Sequence, residues 1–350
     1  MCMLVISLLL SFNLANAQVT NDSHSVLWLG TSIPAGCKYP KRVCTYFGWQ
    51  YFNNAVGSSS FTPIVKHPSE FTYASGRRLC MTVEEIERFF ENDVQQGLVS
   101  EEMLEEWKNN SFERRVIPYI NGEKANCDIV VIDHGFNDRT KIVQTVSQLS
   151  NTNMSLSQEY DEIDRTNFAS CFLFLYKKIK EINPNIQVII CSYLENISSE
   201  QPNAHYGQEI YATHKFISES LAIPFIDICD EIDFNFDYVP NTSTYISDIN
   251  EQYNKNYVVY DWGGDNPEGN VTTFQYYCPD GVHPHTDPSK RAEDKITRAI
   301  VKKWQEIMQA QSIDYTCIET KEPVIYSISG TTKTSKKGLC LIDKKIVFIK

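Results

Sequence analysis

The chain has 350 residues and a formal net charge of −12, and 42% of its residues are hydrophobic. This length and composition predict one large α/β domain with an appendage and exclude a disordered chain. Because nucleic acids and anionic membrane surfaces bind basic patches, the acidic balance argues against either as the main partner.

Residues 1–17 are predicted to form a signal peptide. Met3–Leu14 is mostly apolar, and Ala15-Asn16-Ala17 fits a small-residue cleavage site, with Gln18 as the first mature residue. The apolar stretch is short for a membrane span, and no basic residue precedes it; a buried N-terminal strand is the alternative. We therefore expect an exported bacterial protein that is periplasmic, on the outer surface or secreted, with no transmembrane segment in the mature chain.

Eleven cysteines are present, and export permits disulfides. The pairs to test first are Cys37 with Cys44, and Cys317 with Cys340. Cysteines within apolar runs are interpreted as buried thiols: Cys127, Cys171, Cys191 and Cys229. No spacing typical of a zinc site occurs, so neither a metal nor a cofactor is predicted.

Short apolar runs along the chain predict buried strands: Val26–Leu29, Ile129–Asp133, Ile186–Cys191 and Ile223–Ile228. Helical periodicity follows between and after them: Asn167–Glu181, His205–Leu221 and Pro288–Gln309. Strands that alternate with helices predict a parallel sheet covered on both faces. In such a sheet the active site lies at the carboxyl ends of the strands.

Two insertions interrupt this alternation, at about 58–126 and 230–275. The first contains a capping box, Thr82–Glu85, that opens a helix, and a second helix is predicted from Ser100. The second insertion carries aromatic residues that either face a sugar or are buried in a surface loop: Tyr245, Tyr253, Tyr257, Tyr260 and Trp262.

The main domain is therefore placed at residues 18–311, followed by a β-rich tail at 312–350. The tail is similar to short C-terminal tails of exported proteins, some of which are sorting signals. An ordinary β-meander packed on the main domain is the alternative.

The first segment with catalytic potential is Leu27–Pro34, in which an apolar strand leads into Gly30-Thr31-Ser32. A serine between a strand end and a helix start suits a nucleophile, because free N–H groups there can hold an oxyanion. The same three residues also form ordinary turns and helix caps.

Two further segments can supply oxyanion donors. Gly57 lets the backbone approach a ligand and offer its N–H, and Asn137 follows a buried strand, where its side-chain amide can donate. A strand-end turn and an Asx-turn are the respective alternatives. The neighbouring Asp133 and His134 are interpreted as structural.

Asp280 and His283 lie three residues apart on one loop before a helix. This spacing lets the carboxylate fix the imidazole tautomer, which leaves the other ring nitrogen to take a proton from Ser32. His285 is the competing histidine; a metal site at His283 and His285 lacks further ligands at useful spacing.

These segments together resemble the SGNH/GDSL-type hydrolase family, whose blocks occur in the expected order between Val26 and about Gln309. The blocks are Gly30-Thr31-Ser32, Gly57, Gly135-Phe136-Asn137-Asp138 and Asp280-Gly281-Val282-His283-Pro284.

The resemblance implies a flavodoxin-like three-layer α/β/α sandwich with a parallel sheet. It implies Ser32 as nucleophile, His283 as general base and Asp280 as its orienting acid. The oxyanion hole is then formed by the N–H groups of Ser32 and Gly57 and the side chain of Asn137. The chain departs from the family in two ways: Thr31 stands where an Asp is usual, and the first insertion is atypically large.

We therefore expect a carboxylic ester hydrolase that cleaves short acyl esters, preferably acetyl groups on carbohydrate, through an acyl-enzyme. The sequence lacks a long apolar lid, which disfavours a long-chain lipase. The alternatives are a lysophospholipase-like lipid hydrolase, phosphoester or thioester hydrolysis by the same triad, and a catalytically silent glycan-binding surface protein. The substrate is a small molecule or a glycan ester, and the oligomeric state does not follow from the sequence.

Overall fold

A five-stranded parallel sheet forms the centre of the fold. The computed structural model describes residues 23–64, 66–138, 146–192, 204–228, 232, 238–240, 270–272, 277–278, 283–284, 292–318, 325–326, 332–333, 338–342 and 345–349. The strands of the sheet are β1 (Ser25–Gly30), β2 (Gln50–Asn53), β3 (Ile129–Asp133), β4 (Gln187–Ser192) and β5 (Phe225–Asp227). Their order, β2-β1-β3-β4-β5, is the flavodoxin-like doubly wound order, so the predicted fold class is confirmed.

The helices of the described part of the chain are α1 (Ser32–Gly36), α2 (Tyr39–Phe47), α3 (Val83–Gln95), α4 (Glu101–Lys108), α5 (Phe112–Arg115), α6 (Ile117–Ile120), α7 (Val146–Leu149), α8 (Phe168–Ile182), α9 (Ala204–Leu221) and α10 (Ala292–Ile318). Two 3₁₀ turns occur at Phe136–Asp138 and Tyr160–Glu162. None of the described helices is both long and apolar enough to cross a membrane.

Both faces of the sheet are buried, which explains why its central strands are continuous apolar runs. In β1, Leu27 and Leu29 face a core formed with α6, α8 and α9. Val26 and Trp28 face the opposite core, formed with α2 and α10, where Trp28 packs against Trp304. Helices on both faces of the sheet complete the three-layer sandwich.

The first insertion forms α3 to α6 and has a small core of its own: Met81, Ile86, Phe90, Val99, Leu104 and Trp107. The predicted capping box is confirmed, since the Thr82 hydroxyl accepts a hydrogen bond from Glu85 N and Thr82 N donates to the Glu85 carboxylate. Ser100 caps α4 as predicted, by accepting from Met103 N. Arg165, in front of α8, pairs with Glu85 and so ties the insertion to the main domain.

The described pieces of the remaining chain are short antiparallel pairs. Within the second predicted insertion, β6 (Tyr238–Pro240) pairs with β7 (Asn270–Thr272). In the tail, β8 (Ile325–Tyr326) pairs with β9 (Thr332–Lys333), and β10 (Gly338–Ile342) pairs with β11 (Lys345–Ile349). Residues 1–17 and Cys229 lie outside the described residues, as do the five aromatic residues for which a sugar-facing or a buried position was predicted: Tyr245, Tyr253, Tyr257, Tyr260 and Trp262.

Three details differ from the sequence-based expectations. The edge strand β2 was not predicted, and α10 continues to Ile318, past the expected end at Gln309. The candidate pair Cys37 and Cys44 does not form a disulfide, because Cys44 is a free thiol buried between α2 and the sheet.

The other thiol predictions have mixed outcomes. Cys127, Cys171 and Cys191 are buried as predicted. The side chains of Cys317 and Cys340 lie outside the described part, so their pairing stays a prediction.

Candidate active site

Ser32 begins α1 directly beyond the carboxyl end of β1, with the buried Thr31 as its N-cap. The first N–H groups of a helix have no acceptor within the helix, so this turn presents donors beside the hydroxyl. Gly30 lies very close to α1 and β3: a Cβ on Gly30 would be 2.2 Å from Pro34 Cγ and 2.7 Å from the Asp133 carbonyl oxygen. Only glycine therefore fits where β1 turns into α1 alongside β3.

His283 lies against this serine, with 2.8 Å between its Nε2 and Ser32 Oγ. Cys278, before it in the chain, and Ala292, after it, are both fully buried in the core that also contains Ile33. Glu293, at the start of α10, accepts a hydrogen bond from Lys38 N and so joins this helix to the α1–α2 junction. A neutral imidazole protonated on Nδ1 can accept the Ser32 proton at Nε2.

Gly57 lies in a tight turn beside Ser32. A Cβ placed on Gly57 would be 3.9 Å from Ser32 Cβ, so the two residues are neighbours across the site. The turn closes with a hydrogen bond from Ser59 N to Val56 O, and Ser58 adopts a positive φ of 59°. The Gly57 carbonyl accepts a 2.8 Å hydrogen bond from Arg77, which fixes the orientation of the turn.

Asn137 lies in the 3₁₀ turn after β3, reached through Gly135 with a φ of +124°. A Cβ on Gly135 would also meet Ile210 at 2.9 Å, so glycine is needed there for both conformation and space. The Asn137 amide donates a 2.9 Å hydrogen bond to the carbonyl of Ser59. An amide NH₂ has two hydrogens, so this bond orients the group and leaves a second hydrogen for another acceptor.

Asp138 joins the second and third motif segments. Its fully buried carboxylate accepts hydrogen bonds from Phe61 N, Thr62 N and the Thr62 hydroxyl. Burial raises the pKa of this carboxyl, and these donors together with the nearby Arg78 oppose that rise. The turns that carry Gly57 and Asn137 are thus held in register by a buried acid whose role does not follow from the sequence.

Asp133 and His134 were interpreted as structural, and both are buried beneath the site. Asp133 accepts hydrogen bonds from the Trp28 indole and the Tyr39 hydroxyl, and burial raises its pKa to about 6. Burial lowers the pKa of His134 well below its ordinary value, with a further contribution from Arg115. Neither side chain hydrogen-bonds to Ser32 or His283 among the described residues.

Arg115 is a further residue of the site, and its role does not follow from the sequence. It belongs to the first insertion, is fully buried, and donates to the Asn54 carbonyl, the Ser59 hydroxyl and the Gly30 carbonyl. Burial lowers the pKa of its guanidinium to about 9, which leaves it charged at neutral pH. In sequence, Phe112-Glu113-Arg114-Arg115 is typical of a solvated helix turn, and no signal separates Arg115 from Arg114.

The structure thus brings together four predicted residues: Ser32, Gly57, Asn137 and His283. Asp280 and His285 lie outside the described residues, so the role of Asp280 stays a prediction. Thr31, which stands where an Asp is usual in the family that the motifs resemble, is buried and makes no side-chain hydrogen bond that caps α1. Across the described part of the chain, no group of three His, Cys, Asp or Glu side chains is arranged to hold a metal ion.

Fold and site together define a class: a doubly wound α/β protein with a hydrogen-bonded serine–histidine pair at the carboxyl edge of its sheet. Ser32 follows β1 and Asn137 follows β3. Strand order reverses between β1 and β3, and ligands of such sheets bind at this switch point. A serine activated by a histidine and surrounded by hydrogen-bond donors is suited to acyl transfer.

Comparison with known proteins gives structural neighbours only. No protein-family model matches the chain, and no curated protein matches it. A GDSL-like lipase from Bacteroides thetaiotaomicron is similar at 18% identity and a TM-score of 0.30, over 82% of this chain and 93% of the lipase. A catalytic mutant of an acetylxylan esterase from Geobacillus stearothermophilus is similar at 12% identity and a TM-score of 0.36, over 80% of this chain and 93% of the esterase.

A further structural neighbour is described as an SGNH hydrolase from Slackia heliotrinireducens, at 8% identity and a TM-score of 0.34, over 80% of this chain and all of that one.

Proposed function

We propose that the protein is a serine esterase of the SGNH/GDSL kind that hydrolyses short acyl esters, preferably acetyl groups on carbohydrate. The observation that carries this proposal is the 2.8 Å contact between Ser32 Oγ and His283 Nε2 at the carboxyl edge of the sheet. Residues 251 positions apart in sequence meet there in the geometry of a nucleophile and its base.

The reaction follows from the positions of the side chains. Ser32 Oγ attacks the ester carbonyl carbon while His283 Nε2 takes the hydroxyl proton. The negative charge that forms on the carbonyl oxygen is held by the N–H groups of Ser32 and Gly57 and by the Asn137 amide. His283 then gives its proton to the leaving alcohol oxygen, and an acyl-enzyme remains on Ser32.

Water completes the cycle. His283 takes a proton from a water molecule, the resulting hydroxide attacks the acyl carbon, and the carboxylic acid leaves as Ser32 regains its hydrogen. Asp280 fixes the imidazole tautomer in this scheme, as the sequence motif implies. The chain's own residues supply each proton transfer, and the scheme uses neither a metal nor a cofactor.

The preference for acetyl groups on carbohydrate rests on the sequence and is the finer part of the proposal. The second insertion is rich in aromatic and amide side chains that suit sugar faces and hydroxyl groups, and the sequence has no long apolar lid. The predicted signal peptide favours a substrate outside the cytoplasm. A lipid acyl-ester hydrolase is the second candidate.

The test is turnover of p-nitrophenyl acetate and p-nitrophenyl octanoate by the chain from Gln18 onward. The esterase proposal is supported if Ser32→Ala abolishes acetyl turnover and the control variant Ser157→Ala retains it. Ser157 is an exposed serine far along the chain. Turnover that survives in Ser32→Ala contradicts Ser32 as the nucleophile.

The two substrates separate the candidates. Faster turnover of the octanoyl ester than of the acetyl ester supports the lipid hydrolase and contradicts the preference for short acyl groups. A purified protein that turns over neither ester contradicts the esterase and favours the silent glycan-binding protein, for which binding to acetylated glycans is the next measurement.

A further inference from the structure

One guanidinium contacts the segments that carry two of the proposed oxyanion donors and is linked to the third through Ser59. Arg115 Nη2 lies 3.3 Å from the Gly30 carbonyl, two residues before Ser32. Arg115 Nη1 lies 2.8 Å from Ser59 Oγ, and Nη2 lies 2.6 Å from the Asn54 carbonyl. Asn54 and Ser59 enclose the turn that contains Gly57.

The third donor is reached through Ser59. The Ser59 hydroxyl accepts from Arg115, and the Ser59 carbonyl accepts from the Asn137 amide. The link is therefore two hydrogen bonds long, through a residue that is itself fully buried. A shift of Arg115 moves Ser59, and with it the acceptor that orients Asn137.

Asn54 also holds the backbone of Arg115. Asn54 Nδ2 donates a 2.6 Å hydrogen bond to the Arg115 carbonyl, while the Arg115 guanidinium donates to the Asn54 carbonyl, so the two residues bind each other in both directions. Among the described residues no carboxylate pairs with Arg115, so its charge is directed at carbonyl and hydroxyl oxygens. A planar fork of donors can hold several such acceptors at once, which a single ammonium cannot.

We propose that Arg115, supplied by the first insertion, is the positioning residue of the oxyanion hole. It sets the relative positions of the Ser32, Gly57 and Asn137 segments. This assignment rests on the proposed esterase function. It gives the atypical insertion a role in the reaction that is separate from substrate contact.

The effect of losing Arg115 is expected on turnover rather than on substrate binding. Donors that are aligned on the transition state lower kcat when displaced and leave KM largely unchanged. Because removal of one oxyanion donor lowers kcat by 10²–10³-fold, displacement of the set is expected to lower it by at least about 10²-fold.

The test compares Arg115→Met, Arg115→Lys and the control Arg114→Met. Arg114 lies next to Arg115 on the same helix turn, but it contacts Glu105 and Asn109 on the surface. Active sites are first counted by titration with a fluorophosphonate that reacts with Ser32, and kcat and KM for p-nitrophenyl acetate are then expressed per active site. Circular dichroism reports the fold of each variant.

The expected result is at least about a 10²-fold lower kcat per titrated site in Arg115→Met, with KM within about threefold of wild type. Arg115→Lys, which keeps the charge without the fork, is expected to lie between Arg115→Met and wild type. It also serves as the informative variant if Arg115→Met does not fold. Arg114→Met is expected to match wild type.

Three outcomes overturn the proposal. One is a folded Arg115 variant with wild-type kcat per site, and another is an equal loss in Arg114→Met. The third is a loss seen only as fewer titratable sites or a higher KM. If the wild-type protein has no esterase turnover, or turnover that Ser32→Ala does not abolish, the proposed function is overturned together with this inference. Normal activity in the Arg115 variants overturns this inference alone.

Discussion

Asn137 connects the third motif to the second through its hydrogen bond to the Ser59 carbonyl, and this bond fixes the direction of its amide. Asn137 is partly exposed, as expected for a residue that meets a substrate.

Asn137→Ala is therefore expected to lower kcat by about 10²–10³-fold, because one oxyanion donor is lost. Steady-state kinetics with p-nitrophenyl acetate measure the effect, and Asn121→Ala, at the exposed end of α6, is the control. Turnover near the wild-type level would remove Asn137 from the oxyanion hole.

Asp133 makes a pH-dependent contribution to stability. Burial raises its pKa from 3.8 to about 6, so the folded protein keeps the proton over a pH range in which the unfolded chain has lost it. The free energy of unfolding therefore falls as the pH rises from about 4 to 6. The difference between the folded and unfolded pKa values of Asp133 corresponds to a change on the order of 3 kcal/mol in the free energy of unfolding.

Asp133→Asn is expected to remove this part of the pH dependence, because the amide cannot ionise and its oxygen can still accept from Trp28 and Tyr39. Urea unfolding between pH 4 and 7 measures the difference from wild type, and Asp161→Asn, an exposed carboxylate, is the control. An unchanged slope in Asp133→Asn would mean that this carboxyl is ionised in the folded protein throughout the range.

At the scale of elements, three side chains cap the start of α3. The Thr82 hydroxyl accepts from Glu85 N, and the Glu85 and Glu113 carboxylates accept from Thr82 N and Val83 N. Thr82→Ala is expected to lower the free energy of unfolding by about 1 kcal/mol, and Thr82→Ser to preserve it. Chemical denaturation measures both; equal stability of wild type and Thr82→Ala would show that the cap is replaceable.

The elements that the sequence predicted best are the buried ones. β1 and β3 are apolar on both faces, so their sequences are continuous hydrophobic runs that few other structures share. β2 was missed because it is an edge strand with polar and half-exposed residues, and its pairing with β1 is a long-range contact. The end of α10 was misplaced because α10 continues beyond the last strongly apolar turn.

The site was predictable where a motif and a strand end coincide, as at Ser32 and Asn137. His283 was assigned to Ser32 from its loop and family motif, and the distance between them agrees with that pairing. Arg115 was not predictable, because local sequence cannot distinguish a buried guanidinium from an exposed one. Its acceptors come from two distant segments, and only the folded chain brings them together.

At the scale of the whole molecule, the first insertion has a small core of its own but is also joined to the main domain by apolar packing and by an ion pair. Phe112 of α5 packs against Phe174 of α8, and Arg165 reaches back to Glu85. We therefore expect the insertion and the main sheet to unfold together.

Phe90→Ala tests this expectation, because Phe90 is fully buried in the small core of the insertion, 4.3 Å from the Trp107 ring. The substitution is expected to lower the free energy of unfolding by about 3–5 kcal/mol. The unfolding midpoint followed by esterase activity and the one followed by far-UV circular dichroism are then expected to fall equally. Phe89→Ala, at a partly exposed neighbour, is the control. Activity that persists after the insertion has unfolded would contradict a shared transition.

The buried thiols of the core have a practical consequence. Burial raises the pKa of Cys44 and Cys127 to about 12 and holds the pKa values of Cys80 and Cys171 well above the ordinary range. A thiol reacts with alkylating reagents as its thiolate, so these four side chains are shielded by both protonation and packing. Each becomes modifiable only when the chain opens around it, and brief exposure to iodoacetamide followed by mass spectrometry would therefore record, cysteine by cysteine, where the molecule opens first.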